Sequence, residues 1–396
     1  MIYEIWRYYK LAFKGDKHFA LVSSTLLLLI CLLQVLHTGE TIEALALYML
    51  MVAVYAIFLL KVKECSNMFL LIVFIGVLYR LLPCLAVSTT FSNDIVQYRY
   101  LGNEILNGQV PYRDFPAPYP PLSIYIIVPF LMAGDLRLMK LFFVACDLLI
   151  IFLMYNLLKS KFPLERVKIL SLALLFFPAS LLEYSISGHN DSFTLLLLLI
   201  SIIFLGSRPA LSSIFLSLSI CSKIFPVVAI PFILMHFLSD NKRTVSRFLL
   251  TLISVLGMIS LPFIVVSSNA YLEMLLGITR FSVPYGFFQM FLFMLFGGAS
   301  ELILVPVLIV SFSISIVIFL LIFIFSYLHA WSLEKSLGIV FALLPFLLPQ
   351  FQPWYLLWAL PFVILYLLKN WKLTETYLLL LLFIHASCYL IPYAFV

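Results

Sequence analysis

Long apolar stretches, separated by short polar clusters, follow one another along almost the whole chain of 396 residues. Many of these stretches have about the 17–25 residues that a helix needs to cross a bilayer. A backbone in lipid has to satisfy its own hydrogen bonds, and a helix does so within a single segment. The pattern therefore predicts an all-α polytopic membrane protein.

Charge clusters mark the ends of these stretches and allow the spans to be placed. We predict 13 membrane spans, at 19–37, 42–60, 67–86, 138–158, 165–183, 191–206, 209–222, 224–238, 245–267, 301–328, 336–349, 354–369 and 374–395. Two apolar segments, 122–133 and 290–296, are too short to cross. We expect both to be re-entrant or interfacial helices on the outer face.

The distribution of charge orients these spans. Of the 24 Lys and Arg residues, 17 fall on the side of the basic N-terminus, which the positive-inside rule assigns to the cytoplasm. Hydrophobic residues make up 64% of the chain and charged residues 11%, which excludes a soluble domain. The net charge of +6 is spread over many short clusters, so no nucleic-acid partner is expected.

The segment 91–121 is the longest polar run and is predicted to lie outside, after the third span. It carries three acids, two arginines, four tyrosines and five prolines. Asp94 opens it, and a carboxylate at the membrane edge can be positioned to accept a proton from a hydroxyl. The competing interpretation is a solvated loop acid. Asp147, within a predicted span, is either functional or hydrogen-bonded to a neighbouring helix.

Three other polar groups are assigned to the same outer face, although the spans were placed without reference to them: His189-Asn190-Asp191, Lys223 and 350–354. Lys223 is a candidate ligand for a lipid phosphate, because its stem can stay in the apolar layer; snorkelling alone is the alternative. Asp191 is a candidate for binding a substrate hydroxyl or assisting a base, and otherwise a helix cap.

Five motifs in order resemble the glycosyltransferases of superfamily C (GT-C), which use polyprenyl-phosphate sugars. The likeness is to the catalytic subunit of glycosylphosphatidylinositol mannosyltransferase I and to related prokaryotic mannosyltransferases. The motifs, between about 90 and 365, are SNDIVQYRYLGNEILNGQVPYRDF…YPP, ACDLLIIFLMYNLL (145–158), SGHNDSF (187–193), SKIFPVVAIP (222–231) and FQPWYLLWALP (351–361).

The resemblance implies a role for Asp94 as the catalytic residue. Asp94 matches the second acid of the family's DxD motif, whereas Ser92 replaces the first. This replacement argues against a divalent metal and favours a lone base. Gly108 and Pro111-Tyr112 match the family's G-x-x-PY turn, and the segment 119–122 matches its YxPL piece. No certain cofactor is expected.

Other residues are predicted to bind substrate. Trp354 and Tyr355 are candidates for stacking on the sugar or the prenyl chain, although aromatic residues are common at membrane interfaces. The predicted substrate-binding residues are Lys223, Asp191, His189, Asn190, Arg99, Tyr112, Arg113, Tyr119, Arg280, Gln352, Trp354 and Tyr355.

The resemblance also implies a domain organisation. We expect an interfacial segment and two accessory helices in 1–66, and a GT-C-like catalytic domain in 67–396 with its outer catalytic loop at 87–137. The expected enzyme is an integral-membrane, inverting hexosyltransferase, with mannose as the sugar that the resemblance implies. Its donor would be a polyprenyl- or dolichyl-phosphate sugar, and its acceptor a lipid-linked or other glycan.

The active site is expected on the non-cytoplasmic side, of the plasma membrane in a prokaryote or of the endoplasmic reticulum in a eukaryote. Membrane lipid is the remaining partner, and the need for an accessory subunit stays open. Two alternatives are a transporter or flippase of lipid-linked sugars and a non-catalytic subunit of a glycolipid pathway. A transporter favours polar groups at mid-depth and an inverted repeat, whereas the sequence shows one mid-span acid and no repeat.

Overall fold

The structure, a computed structural model, describes residues 41–61, 69–86, 93–237, 242–276, 301–348 and 351–394. Its α-helices are α1 Thr41–Lys61, α2 Phe69–Ala86, α3 Asn93–Leu106, α4 Pro121–Tyr125, α5 Val128–Met132, α6 Arg137–Leu158, α7 Leu164–Leu175, α8 Pro178–Ser180, α9 Asp191–Phe204, α10 Pro209–Ser222, α11 Ile230–His236, α12 Lys242–Leu276, α13 Glu301–Leu328, α14 Leu333–Leu347, α15 Leu360–Leu367 and α16 Trp371–Ala394. A π-helix covers Leu181–Ile186, and 3₁₀ helices cover Phe225–Ala229 and Pro353–Ala359.

The described part of the chain contains no strand, so the predicted all-α class is confirmed. Within the described ranges, four segments are long and apolar enough to cross a membrane: Phe69–Ala86, Arg137–Leu158, Leu164–Ile186 and Arg243–Leu275. Several shorter apolar helices accompany them. The arrangement of 13 spans stays a prediction. The first predicted span, the segment 290–296 and the proposed domain boundary at 66/67 lie outside the described residues.

Prolines break several predicted spans into two elements. In the span predicted at 165–183, Phe177 is extended ahead of Pro178, and the chain continues as α8 and the π-helix. A residue that precedes proline is restricted to extended backbone, which ends a helix there. Pro226 and Pro353 likewise lie in the first turns of the two 3₁₀ helices.

The helices fall into two compact units, of which the first comprises the segments up to Phe91, Lys140–Gly188 and Lys369–Val396. Here Arg80 of α2 donates to the carbonyl of Leu175 and lies 3.4 Å from Asp147, the mid-span acid. Both charged side chains are almost fully buried. Asp147 therefore lies beside a cation of another helix, but its Oδ2 makes no hydrogen bond to the described residues, so neither of its two predicted roles is established.

The same unit contains a second buried polar network. His385 of α16 contacts Tyr48 of α1 through Nδ1, at 2.8 Å, and Glu183 of the π-helix through Nε2, at 2.7 Å. Tyr389 also donates to Oε1 of Glu183, at 2.7 Å. These contacts tie three helical segments together around one buried carboxylate.

The second unit, Ser92–Met139 and His189–Leu368, contains the outer segment and most of the predicted site residues. Within this unit α10 packs against α9 and α12. Serines of α10 lie at both helix interfaces. Ser219 donates to the carbonyl of Thr194 at 2.8 Å, and Ser213 to that of Phe248 at 2.8 Å. Small side chains with a hydroxyl let apolar helices approach closely and hydrogen-bond across the interface.

The segment predicted as an outer loop contains helices as well as the irregular stretch 107–120. α3 begins at Asn93 and places Asp94 in its first turn, where the helix dipole favours a carboxylate. The short apolar piece predicted at 122–133 is present as α4 and α5, each of five residues. Neither is long enough to span a bilayer, as the sequence predicts.

Candidate functional site

Asp94 contacts His189, a residue 95 positions later in the chain. Its Oδ2 lies 2.9 Å from Nδ1 of the imidazole. The His189 side chain is 5% exposed, and that of Asp94 is 18% exposed. The turn of α3 that holds the acid is therefore fixed to the segment that precedes α9.

Asp191, the first residue of α9, is fully buried and accepts two hydrogen bonds. Nζ of Lys223 lies 2.6 Å from its Oδ2, and Nε1 of Trp358 donates to its Oδ1, also at 2.6 Å. Both carboxylate oxygens thus have a donor, as a buried charge requires. Lys223 immediately follows α10, so the pair joins the ends of α9 and α10.

His189 and Asp191 are separated by one residue, which makes their two ion pairs neighbours. The polar cluster, by which we mean Asp94, His189, Asn190, Asp191 and Lys223, therefore lies around a single turn of the chain. All five residues belong to the second unit and are linked by these contacts, whereas their position on the outer face of the membrane stays a prediction.

Three aromatic residues of the last 3₁₀ helix cover this turn. The Trp354 ring stacks on His189, with centroids 3.8 Å apart and an interplanar angle of 18°. The Trp358 ring stacks between Phe225 at 3.8 Å and Tyr355 at 4.2 Å. We call Trp354, Tyr355 and Trp358 the aromatic frame. Its members orient the polar cluster by stacking and by the Trp358 hydrogen bond.

A hydroxyl network fixes Asn190 at the centre of the polar cluster. Its Nδ2 donates to Oγ of Ser123 at 2.8 Å, and Ser123 donates in turn to the carbonyl of Ser222. The Ser222 hydroxyl also contacts that of Thr194. All four side chains are buried, so α4, α9 and α10 are joined by polar contacts next to the polar cluster.

The predicted Tyr112 and Tyr119 shape the rest of the outer segment. Tyr112 donates its phenol to the carbonyl of Tyr119 at 2.6 Å and has a φ of 68°, the left-handed region. Tyr119 donates to Gln97 of α3 at 3.2 Å. Burial is the main cause that raises the pKa of the Tyr112 phenol, and burial likewise raises the pKa of Tyr98, a neighbour of Tyr119. Both phenols therefore stay neutral, and that of Tyr112 keeps its hydrogen bond to the Tyr119 carbonyl.

Some predicted ligands make other contacts. Arg113 is half exposed and pairs with Asp114 at 2.8 Å. Hydrogen bonds from Arg113 and from the Val110 amide lower the pKa of Asp114 to about 2. Arg99 lies exposed on α3, five residues after Asp94, and Gln352 is partly exposed in extended backbone before the aromatic frame. Arg280 lies outside the described residues.

Two contributors were missed by the sequence analysis. Trp358 belongs to the motif FQPWYLLWALP, and its position four residues after Trp354 was the available signal. Ser123 carried no signal, because an isolated serine in an apolar segment is common. Both act through partners that are more than 60 positions away in the chain.

No group of three or more His, Cys, Asp or Glu side chains is arranged to hold a metal ion among the residues that the structure describes. What the polar cluster offers chemically is a partly accessible carboxylate held by an imidazole. Beside it lies a buried ammonium that has three N–H donors, of which Asp191 uses one. Asp94 can accept a proton and Lys223 can donate to an anion, and the two are held by neighbouring residues, His189 and Asp191.

Comparison with known proteins adds a family. The profile of glycosyltransferase family 87 matches residues 117–348, which is more than half of the chain. The match includes the segment 189–191 and Lys223 of the polar cluster, but it begins after Asp94. It ends before Trp354 of the aromatic frame. No solved structure matches the chain significantly.

Two curated proteins are similar over part of the chain. GPI mannosyltransferase 1 of Dictyostelium discoideum is 31% identical over 138 residues, which is 34% of this chain and 31% of that protein. GPI mannosyltransferase 1 of Kluyveromyces lactis is 30% identical over 159 residues, which is 39% of each chain. The alignments thus span between 31% and 39% of the length of these relatives.

Proposed function

This chain belongs to glycosyltransferase family 87, and from that premise we propose that it transfers a hexose, with mannose as the sugar, from a polyprenyl- or dolichyl-phosphate donor. The acceptor in this proposal is a lipid-linked or other glycan at the non-cytoplasmic face of the membrane. Mannose is supported by the names of the two similar proteins, both called GPI mannosyltransferase 1. The membrane setting is supported by the four long apolar helices.

The observation that carries the proposal is the contact between Asp94 and His189 beside the Asp191–Lys223 pair. A base must be reachable by substrate and held in one orientation. Asp94 meets both requirements, because its side chain is 18% exposed and its Oδ2 is hydrogen-bonded. No other described acid in the polar cluster does, since Asp191 is fully buried and already has two donors.

In the proposed reaction, Asp94 takes the proton of an acceptor hydroxyl as the oxygen attacks the anomeric carbon. The new carbon–oxygen bond forms on the face opposite the phosphate, while the bond from the anomeric carbon to the phosphate oxygen breaks. One displacement inverts the configuration, and the bonding electron pair leaves with the lipid phosphate. The proton stays on Asp94 until solvent removes it.

The departing phosphate gains negative charge and needs donors that are already in place. Lys223 supplies them in this proposal through the N–H groups that Asp191 does not use. Because Asp191 balances the ammonium charge, Lys223 acts here as an oriented hydrogen-bond donor more than as a free cation. Arg99, exposed on the same helix as Asp94, is a second candidate for the phosphate.

The test compares Asp94→Asn with the wild-type protein in membranes supplied with radiolabelled polyprenyl-phosphate mannose. The label is followed into the lipid and glycan fraction. We expect Asp94→Asn to transfer at least about 100-fold more slowly, the scale of a lost general base. Asp114→Asn serves as the control, because Asp114 is an acid of the same outer segment that pairs with Arg113.

Equal transfer by Asp94→Asn and the wild type would remove Asp94 from the reaction. Movement of the labelled donor across the membrane without transfer would instead support the transporter alternative. Loss of transfer in both variants would point to a requirement for the fold of the outer segment.

A further inference from the structure

We infer that His189 is a positioning residue for the base, because it holds the Asp94 carboxylate while Trp354 holds the imidazole ring. The inference rests on the proposed role of Asp94. It replaces the direct substrate contact that the sequence analysis assigned to His189. It also gives Trp354 a task other than stacking on the sugar.

The exposure of the two side chains decides which of them meets the substrate. Asp94 is 18% exposed, whereas His189 is 5% exposed and lies under the Trp354 indole. A base in this pair must be reached by the acceptor hydroxyl. The carboxylate is therefore the group that contacts substrate, and the imidazole supports it from behind.

The contact also fixes where the hydrogen lies. An ionised carboxylate can only accept hydrogen bonds, so Nδ1 of His189 carries the hydrogen in the active form. The donated hydrogen bond favours the charged form of Asp94 over the neutral form. Oδ2 of Asp94 is held 2.9 Å from Nδ1 of His189, and this contact fixes the direction in which Oδ1 points.

The orientation of the imidazole depends on Trp354. The two rings are nearly parallel, with 3.8 Å between their centroids. Nε1 of Trp354 is buried and makes no hydrogen bond to the described residues. The indole thus acts through its face, as a flat support for the imidazole. Trp354 thus stacks on His189, and His189 in turn holds Asp94 by a hydrogen bond.

The experiment measures transfer from radiolabelled polyprenyl-phosphate mannose to a lipid extract of the source membranes, between about pH 3 and pH 8, because an unperturbed Asp carboxyl titrates near about 3.9. His189→Phe keeps a ring against Trp354 but removes the N–H donor. We expect kcat to fall by about 10- to 100-fold, by analogy with the loss of a group that orients a metal-binding side chain. KM for the donor should change less than about twofold, because His189 does not touch it.

The pH profile separates positioning from a merely structural role. Without the N–H, the neutral form of Asp94 is no longer disfavoured, so the acidic limb of the profile should move to higher pH. His189→Asn, whose amide N–H takes the place of Nδ1–H, should recover part of both changes. His329→Phe, an exposed histidine in the same unit, is the matched control and should leave both unchanged.

Wild-type kcat and an unmoved acidic limb in folded His189→Phe would overturn the inference. A raised KM at constant kcat would overturn it as well, since it would return His189 to substrate binding. If His189→Phe does not fold, the limb shift is sought in Trp354→Ala, which removes the support of the imidazole ring, and its absence there is equally decisive. Full activity of Asp94→Asn would instead show that the proposed function itself has failed.

Discussion

The ammonium of Lys223 and the carboxylate of Asp191 form a buried ion pair, with 2.6 Å between Nζ and Oδ2. The carboxylate begins α9 and the ammonium follows α10, so the pair closes one end of two adjacent helices. The side chains are 11% and 0% exposed, and neither charge has bulk water to replace a lost partner. The cation that the sequence offered as a phosphate ligand thus also has a structural task.

Removing one partner of this pair should be costly. Lys223→Met leaves the Asp191 charge buried with the Trp358 donor alone, and we expect a loss of about 3–5 kcal/mol of unfolding free energy. The double variant with Asp191→Leu should be more stable than the two single losses predict, because no charge remains unpaired. Denaturant unfolding in detergent micelles, arranged as a double-mutant cycle, measures this coupling.

A matched control for that cycle is the exposed Lys168–Glu165 pair of α7, at 2.9 Å. Lys168→Met should cost no more than about 1 kcal/mol, because water screens an exposed pair. Additive effects of the Lys223 and Asp191 substitutions, within about 0.5 kcal/mol, would contradict the buried pair.

Two tryptophans of the aromatic frame should respond differently to the same substitution. Trp358→Phe keeps a stacked ring but removes the N–H that Asp191 accepts, and a hydrogen bond to a charged group contributes about 1.5–3 kcal/mol. Trp354→Phe also keeps a ring, and its Nε1 makes no hydrogen bond to the described residues. We therefore expect Trp358→Phe to lower the unfolding free energy clearly more than Trp354→Phe does.

The same unfolding assay checks this order. Equal losses in the two variants would mean that ring size, and not the hydrogen bond to Asp191, determines what the frame contributes.

The buried network of the first unit gives a prediction that is independent of the candidate site. His385→Leu removes a donor from Glu183 and leaves a charge-bearing carboxyl group fully buried, so we expect a loss of about 3–5 kcal/mol. Tyr389→Phe removes one hydrogen bond and should cost about 1–3 kcal/mol. The unfolding temperature in detergent reports both changes.

Tyr377→Phe is the control for these variants. Tyr377 lies on the same helix α16, and its hydroxyl has no hydrogen-bond partner among the described residues. Its removal should be nearly neutral or slightly stabilising. A loss in Tyr377→Phe as large as that in Tyr389→Phe would show that burial of the ring, rather than the contact with Glu183, sets the stability.

Gly108 should be needed because of its backbone conformation, and not because a larger side chain would clash there. It has a φ of 81°, and a Cβ added there would meet nothing within 4 Å. Gly108→Ala should therefore cost about 1–2 kcal/mol, the penalty of a left-handed alanine. Gly206→Ala, which also has open space but no positive φ, is the control and should be neutral.

For the Gly108 variants, both the transfer activity and the unfolding free energy should be measured. If Gly108→Asn, which tolerates the left-handed region, restores both, the glycine that matches the family turn is structural. A loss of activity at unchanged stability would instead indicate a direct role in catalysis.

The sequence by itself predicted the all-α membrane class, and it offered Asp94, His189, Asp191 and Lys223 as members of one candidate site. Apolar length is a local property, and a bilayer leaves helices as the structure for such segments. Asp94, the segment 188–191 and Lys223 are polar departures from an apolar background. They can therefore be recognised as candidates without knowing which residues they contact.

Only the tertiary structure decided which of these groups are partners. Asp94 and His189 are 95 positions apart, and Asp191 and Trp358 are 167 positions apart, so no local pattern relates them. Whether an acid is a reachable base or a buried counter-ion depends on the donors that surround it. Packing leaves the Asp94 carboxylate partly exposed and encloses that of Asp191, and this difference is why Asp94 is the proposed base and Asp191 the counter-ion of Lys223.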